Sequence, residues 1–317
     1  RTSAMILYGL YLLLSLLELL FLLAGGMPFF DSLIHTFGTA GTGGFSLYAD
    51  SIAHYHSAYF ETAITVFMFL FGVNFNLYFF LVMRDVRPLL KDTEFRTYLG
   101  ITIGASVLIA LNILHLYGSL ATALRYSSFQ VVPVMTTTGY ATADFNLWPT
   151  FSKMILFFLM VVGAMAGSTG GGIKVVRLLI VLRTLKLNVQ KLVHPQKVEA
   201  LTLSGKPVPR EECTKVLAFF CFWFILIALC TMLVALDGLD FESTISAVYT
   251  CIGNVGPGFG ICGPTGSFAP FSAFSKLVLS FAMLAGRLEI YPIVILSLPL
   301  FAIFRSSGKK RTIRRRD

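Results

Sequence analysis

Charge is what this chain has least of. Of its 317 residues only 13% are Asp, Glu, Lys or Arg, against roughly 25% in a soluble domain. That scarcity excludes a surface wetted on all sides. Cysteine is scarce as well: Cys213, Cys221, Cys230, Cys251 and Cys262 form an odd set without metal-ligand spacing. This argues against a disulfide framework and leaves the part of a small buried hydrophobe. His54 and His56 stand two apart, on different faces of any helix, so they make a poor metal pair. The nucleotide motifs fail too. Gly167 and Gly172 are followed by Ile173 before Lys174, which breaks the phosphate-loop pattern, and Val175 stands where a dinucleotide fingerprint needs a small residue. No cleavable signal segment is visible, and Arg1 is not an initiator Met, so a partial chain is expected.

What is present is apolar length: 56% of the residues are hydrophobic. Long runs occupy 4–24, 60–82, 97–117, 151–183, 215–236 and 272–304, apolar all round rather than striped. A span takes about 20 such residues, so the pattern predicts an all-α polytopic membrane protein.

The net charge of +9 would suggest nucleic acid in a soluble protein, but its placement excludes that partner. Arg84, Arg87, Lys91 and Arg96 share one loop. Arg183, Lys186, Lys191, Lys197, Lys206 and Arg210 share the next, and a basic tail runs from Arg305 to Arg316. The opposite side has Arg125, Lys153 and Lys276 against Asp31, Asp50, Glu61, Asp144, Asp237, Asp240 and Glu242. The positive-inside rule therefore places the tail and both basic loops in the cytoplasm. The tail either fixes topology against anionic membrane lipid or receives a partner.

Between the spans lie short apolar runs that stop at glycine loops. Gln130 begins one that reaches Thr137-Thr138-Gly139-Tyr140, Pro28 begins another that reaches Thr42-Gly43-Gly44, and Phe241 a third that reaches Asn254-Val255-Gly256. Each reads as a half-helix entering and leaving on the outer side. The repeats are predicted at 1–92, 93–207 and 208–317. Irregular backbone at membrane depth must be buried in protein or line water, and Thr/Gly loops there offer oxygens to a dehydrated monovalent cation.

Three further features break the apolar pattern. Gly167-Ser168-Thr169-Gly170-Gly171-Gly172 should split the run 151–183, either as a movable plug or as a close-packing patch. Arg287 stands roughly 20 Å into the last run at 1.5 Å per residue, facing either a water-filled path or a structural partner such as Glu289. Glu18 lies inside the first run, as a functional group or as a partner of neighbouring hydroxyls.

Together the three loops, the stretch Gly167 to Lys174, and Gly286-Arg287-Leu288-Glu289 resemble the Trk/Ktr/HKT superfamily of potassium transport proteins, and within it the bacterial TrkH family. The resemblance covers essentially the whole chain. It implies helix, pore-helix, helix repeats (M1-P-M2) around a pseudo-fourfold pore. The three repeats present match the second, third and fourth, with the first missing from the amino end. It implies potassium bound by Thr42, Gly43, Gly44, Thr137, Thr138, Gly139, Asn254, Val255 and Gly256. It further implies a gate of Gly167, Ser168, Thr169, Gly170, Gly171, Gly172, Lys174 and Arg287, a homodimer, a cytoplasmic nucleotide-binding regulatory subunit, and a bacterial inner-membrane location. The rival readings are a membrane enzyme with Ser168 or Thr169 as nucleophile, and a non-conducting scaffold.

Overall fold

The computed structural model describes residues 2–194 and 200–288. Lys197, Glu289, the basic tail and the far half of the run 272–304 lie outside the described residues. Helices α1 (Thr2–Ala24), α6 (Thr93–Tyr117) and α10 (Arg210–Val234) are each long and apolar enough to cross a bilayer. Beside them stand shorter helices: α2 (Phe29–Ala40), α7 (Leu120–Thr136) and α11 (Phe241–Gly253), each following a long helix and each ending at a glycine loop. Their polar side chains are interior, with Thr39, Ser127, Thr136 and Thr250 at 0% exposure. Such residues would not face lipid, and these helices pack against the longer ones α1, α6 and α10. At the amino end of α11, Asp240 caps the helix by accepting from Ser243 N at 2.9 Å. The same Ser243 donors hold the Asp240 carboxyl below the usual carboxylate range.

The run 60–82, expected as one span, is two helices, α3 (Ala58–Phe71) and α4 (Phe75–Val82), bent by 94°. No proline explains the bend. Three contacts do. A side chain at Gly72 would collide with the Tyr98 hydroxyl. Asn74 caps α4 by accepting from Asn76 N at 2.9 Å. The carbonyls of Phe71 and Gly72, which a continuing helix would have used, accept instead from Thr169 N at 3.4 Å and Met165 N at 3.1 Å.

Those two donors belong to the split run 151–183. It forms α8 (Thr150–Leu159), an irregular stretch 160–174, and α9 (Val175–Val193), the division expected from its glycines. Each break thus satisfies the other's backbone. Phe75 N completes the exchange by donating to Gly167 O at 3.2 Å. The all-α expectation needs one amendment: β1 (Thr202–Leu203) and β2 (Lys206–Pro207) form a small antiparallel hairpin. Ser204 and Gly205 turn it with φ of 47° and 78°, the positive pair a two-residue hairpin turn prefers. The last long helix, α12 (Ala273–Arg287), packs on α10 and α11.

The Gly72 contact predicts a coupled response. Gly72→Ala should destabilise the detergent-solubilised protein by about 1–3 kcal/mol through overpacking. Adding Tyr98→Phe should recover part of that loss, as read by thermal unfolding. Strictly additive effects would separate Gly72 from Tyr98.

Candidate functional site

The half-helices α2, α7 and α11 end in the same way. Thr42, Thr137 and Asn254 adopt left-handed backbone with φ of 51°, 60° and 57°. Their N–H groups donate three residues back, to Thr39 O, Val134 O and Cys251 O at 3.1, 3.3 and 3.1 Å. The next N–H groups donate five residues back, from Gly43 to Gly38 O, Thr138 to Pro133 O and Val255 to Thr250 O, at 2.7, 2.8 and 2.9 Å. This is a helix-terminating pattern in which loop donors satisfy the last helical carbonyls. Glycine follows each time with positive φ: 66° at Gly44, 82° at Gly139 and 110° at Gly256.

The donors of each loop therefore point back into their own helix, and the acceptors are left over. Among the described residues, no hydrogen bond reaches the carbonyls of Thr42, Gly43, Gly44, Thr137, Thr138, Gly139, Asn254, Val255 or Gly256. Four of these residues are buried, Thr42 at 6%, Thr137 at 1%, Thr138 at 2% and Val255 at 2% exposure. Buried carbonyls are ordinarily paired, so the four at these buried positions, with five more beside them in the same loops, call for an electropositive guest.

The loops stand side by side. A Cβ at Gly44 would strike the Thr138 carbonyl, and one at Gly139 would strike the Val255 carbonyl. These two glycines are required by contact as well as by backbone angle. Among the described residues Gly256 faces only the Gly139 Cα, 3.9 Å from where its Cβ would stand, so that side of the row is not covered by them. Outside the row, Tyr140 Oη donates to His35 O at 3.2 Å and Phe45 O at 3.4 Å, tying the second loop to the first. Asn146 and Gly260 exchange two bonds between second and third, at 3.0 and 3.2 Å. Thr250 Oγ1 braces the third by donating to Pro257 O at 3.0 Å. The sequence reading passed over all three struts, which look like ordinary polar residues until the loops are adjacent.

Against this row lies the irregular stretch 160–174. Thr42 Oγ1 donates to Thr169 O at 3.2 Å, and Gly171 N donates to Thr137 Oγ1 at 2.7 Å. Lys174 Nζ donates to Gly170 O. Gly167, Ser168, Thr169, Gly170, Gly171, Gly172 and Lys174 line a cavity of about 290 Å³ together with Gly286 and Arg287. The residues that the resemblance assigns to a gate, Arg287 included, thus all line one space. Among the described residues, two cationic side chains and no carboxylate line it. The hydroxyls of Ser168 and Thr169 donate to Met165 O and Phe71 O, at 2.6 and 3.3 Å, and no histidine lines the cavity to act as a base. Glu18 belongs to neither group; it is wholly buried, and its carboxyl oxygens have no hydrogen-bond partner among the described residues.

One residue that holds the irregular stretch escaped the sequence reading altogether. Glu94, at the start of α6, accepts from Ala166 N at 2.7 Å and Val176 N at 3.0 Å. Its only sequence signal was an acid among the basic residues of its loop.

A family model described as TrkH, a cation transport protein, matches residues 4–306. The Trk system potassium uptake protein TrkH of Salmonella typhimurium is 32% identical over 302 residues, 94% of this chain and 62% of that protein. The Escherichia coli K12 protein TrkG is 32% identical over 277 residues, 86% of this chain and 56% of that one. The crystal structure of the potassium transporter TrkH from Vibrio parahaemolyticus superposes with a TM-score of 0.88 at 32% identity, covering 95% of this chain and 65% of that chain. The chain thus spans somewhat less than two thirds of these relatives.

Thr137→Val removes the acceptor of Gly171 N and leaves that amide buried. An unmet buried donor costs about 1–3 kcal/mol, so hydrogen exchange at Gly171 should quicken by about tenfold or more with the helices α7 and α11 unaffected. Unchanged exchange at Gly171 would show that the stretch does not depend on the Thr137 contact.

Proposed function

The chain belongs to the TrkH family of cation transport proteins, and from that premise we propose that it carries potassium across a bacterial inner membrane. The observation that carries this reading is the set of nine carbonyls in three adjacent loops that no protein donor meets. A potassium ion sheds water there and takes the oxygens of Thr42, Gly43, Gly44, Thr137, Thr138, Gly139, Asn254, Val255 and Gly256 in its place. Potassium is the cargo, not a resident cofactor. The carboxyl ends of α2, α7 and α11 add their negative dipole ends to the same region.

The repeats in this reading are 1–92, 93–207 and 208–317, each a long helix, a half-helix, a loop and a return helix around one axis. A fourth glycine loop closes the row on the side where Gly256 meets nothing but Gly139. Beneath the filter, residues 160–174 form the gate. Their contacts with Thr42 and Thr137 occupy the route from the loops to the cavity. Lys174 and Arg287 place fixed positive charge where a cation would leave, so conduction waits on displacement of the stretch. The basic loops and carboxyl terminus face the cytoplasm and meet anionic lipid. Two such chains pair as a homodimer, and a nucleotide-binding regulatory subunit on the cytoplasmic side moves the gate.

Two variants test the two halves of this reading in the intact protein. Gly139→Ser pushes against the Val255 carbonyl and should lower the rubidium-to-sodium flux ratio by about tenfold, because selectivity depends on carbonyl placement. An unchanged ratio in a folded variant would remove Gly139 from the filter. Deleting one residue from Gly170-Gly171-Gly172 should raise flux without the regulatory subunit, and unaltered flux would count against a gate at this stretch.

A further inference from the structure

Glu94 sits where the irregular stretch closes on itself. One carboxylate oxygen, Oε1, accepts from Ala166 N and from Val176 N. The first donor precedes the glycines and the second opens α9, so a single atom fixes the separation between the two ends of the segment. Glu94 is only 8% exposed, and charge-assisted bonds to backbone donors in such a setting are the strong ones.

The residues just before Glu94 are held from the cytoplasmic side. Ser204, at the tip of the β1–β2 hairpin, accepts through Oγ from Thr93 N at 3.0 Å. It also donates from its own N to Thr93 Oγ1 at 3.3 Å and from Oγ to Asp92 Oδ2 at 3.1 Å. The hairpin is held at its other end by Arg183 of α9, which donates to Thr202 O. The contacts close a ring: Glu94 to Val176, along α9 to Arg183, across to Thr202, round the turn to Ser204, and back through Thr93 to Glu94. Displacing the hairpin displaces the start of α6, and with it the atom that holds both ends of the stretch.

We propose that Glu94 is the latch of the gate: a positioning residue that keeps 166–176 closed and is set from the cytoplasm by the hairpin clasp of Ser204 on Asp92 and Thr93. This rests on the transport reading given above. A purely structural Glu94 would only cap α9 and raise its stability. A latch in addition couples to Ser204, and that coupling is measurable because pairs sharing one network give non-additive effects.

The test uses the intact protein in liposomes without regulatory subunit, in a background with its five cysteines replaced and Ser168→Cys added. Two readouts are taken for Glu94→Gln, Ser204→Ala and the pair: rubidium flux, and the rate at which a membrane-impermeant thiol reagent modifies position 168 from the cytoplasmic side. Glu94→Gln should raise both by about tenfold, the loss expected when a charged acceptor becomes neutral. Ser204→Ala should raise both in the same direction, and the pair should do no more than Glu94→Gln alone. Glu94→Asp, which keeps the charge, should restore part of the closed behaviour. A melting temperature lowered by Glu94→Gln with neither readout changed would overturn the latch, and full additivity would overturn the hairpin's part in it. If labelling responds as expected but no variant, the glycine deletion included, passes rubidium, the transport reading fails and the latch stands.

Discussion

A peptide group at membrane depth must find a partner within the protein, and this requirement organises the whole molecule. Two helices break in mid-course, and each break would strand several donors and acceptors in an apolar surrounding. They are instead placed against one another. The carbonyls freed at Phe71 and Gly72 receive Thr169 N and Met165 N, and Phe75 N is received by Gly167 O. Neither irregular segment would be tolerable alone, which is why α3 turns through 94° at the level where the glycine stretch passes.

Against that background the three loops stand out as the place where the rule is not applied. All but one of their amides are spent on the ends of their own helices, and their carbonyls are left without donors among the described residues, in a row that is buried at Thr42, Thr137, Thr138 and Val255. The same economy governs their side chains. Thr42 and Thr137 turn their hydroxyls to the glycine stretch, while Gly44 and Gly139 carry no side chain because the neighbouring loop's carbonyl occupies that position. One face of the row thus offers oxygen, and the opposite end meets a segment braced by Lys174, Glu94 and two broken helices.

Much of this was legible in the sequence because it rests on local chemistry. The apolar runs that became α1, α6 and α10 and the interruption of 151–183 by glycine follow from residue type and spacing. The likeness among the three loops was visible as Thr-x-Gly or Asn-x-Gly after a short apolar run, and the backbone repeats it in dihedral angles and hydrogen bonds. What escaped depends on contacts distant in sequence. The bend after Phe71 has no proline, and its cause is a loop about ninety residues further on. Glu94 looked like one more charge in a charged loop, although it accepts from Ala166 and Val176. Ser204-Gly205 is a turn signal, yet nothing nearby in sequence pointed to Asp92 and Thr93 as its partners.

The central claim is that the unpaired carbonyls receive a dehydrated monovalent cation. Anomalous scattering from crystals of the full-length protein grown in rubidium tests it most directly. The account predicts a peak ringed by the carbonyl oxygens of Thr42, Gly43 and Gly44 and of their counterparts in the loops ending at Gly139 and Gly256, displaced by potassium. A map with no peak there, or one in which those oxygens accept from protein N–H groups, would contradict it.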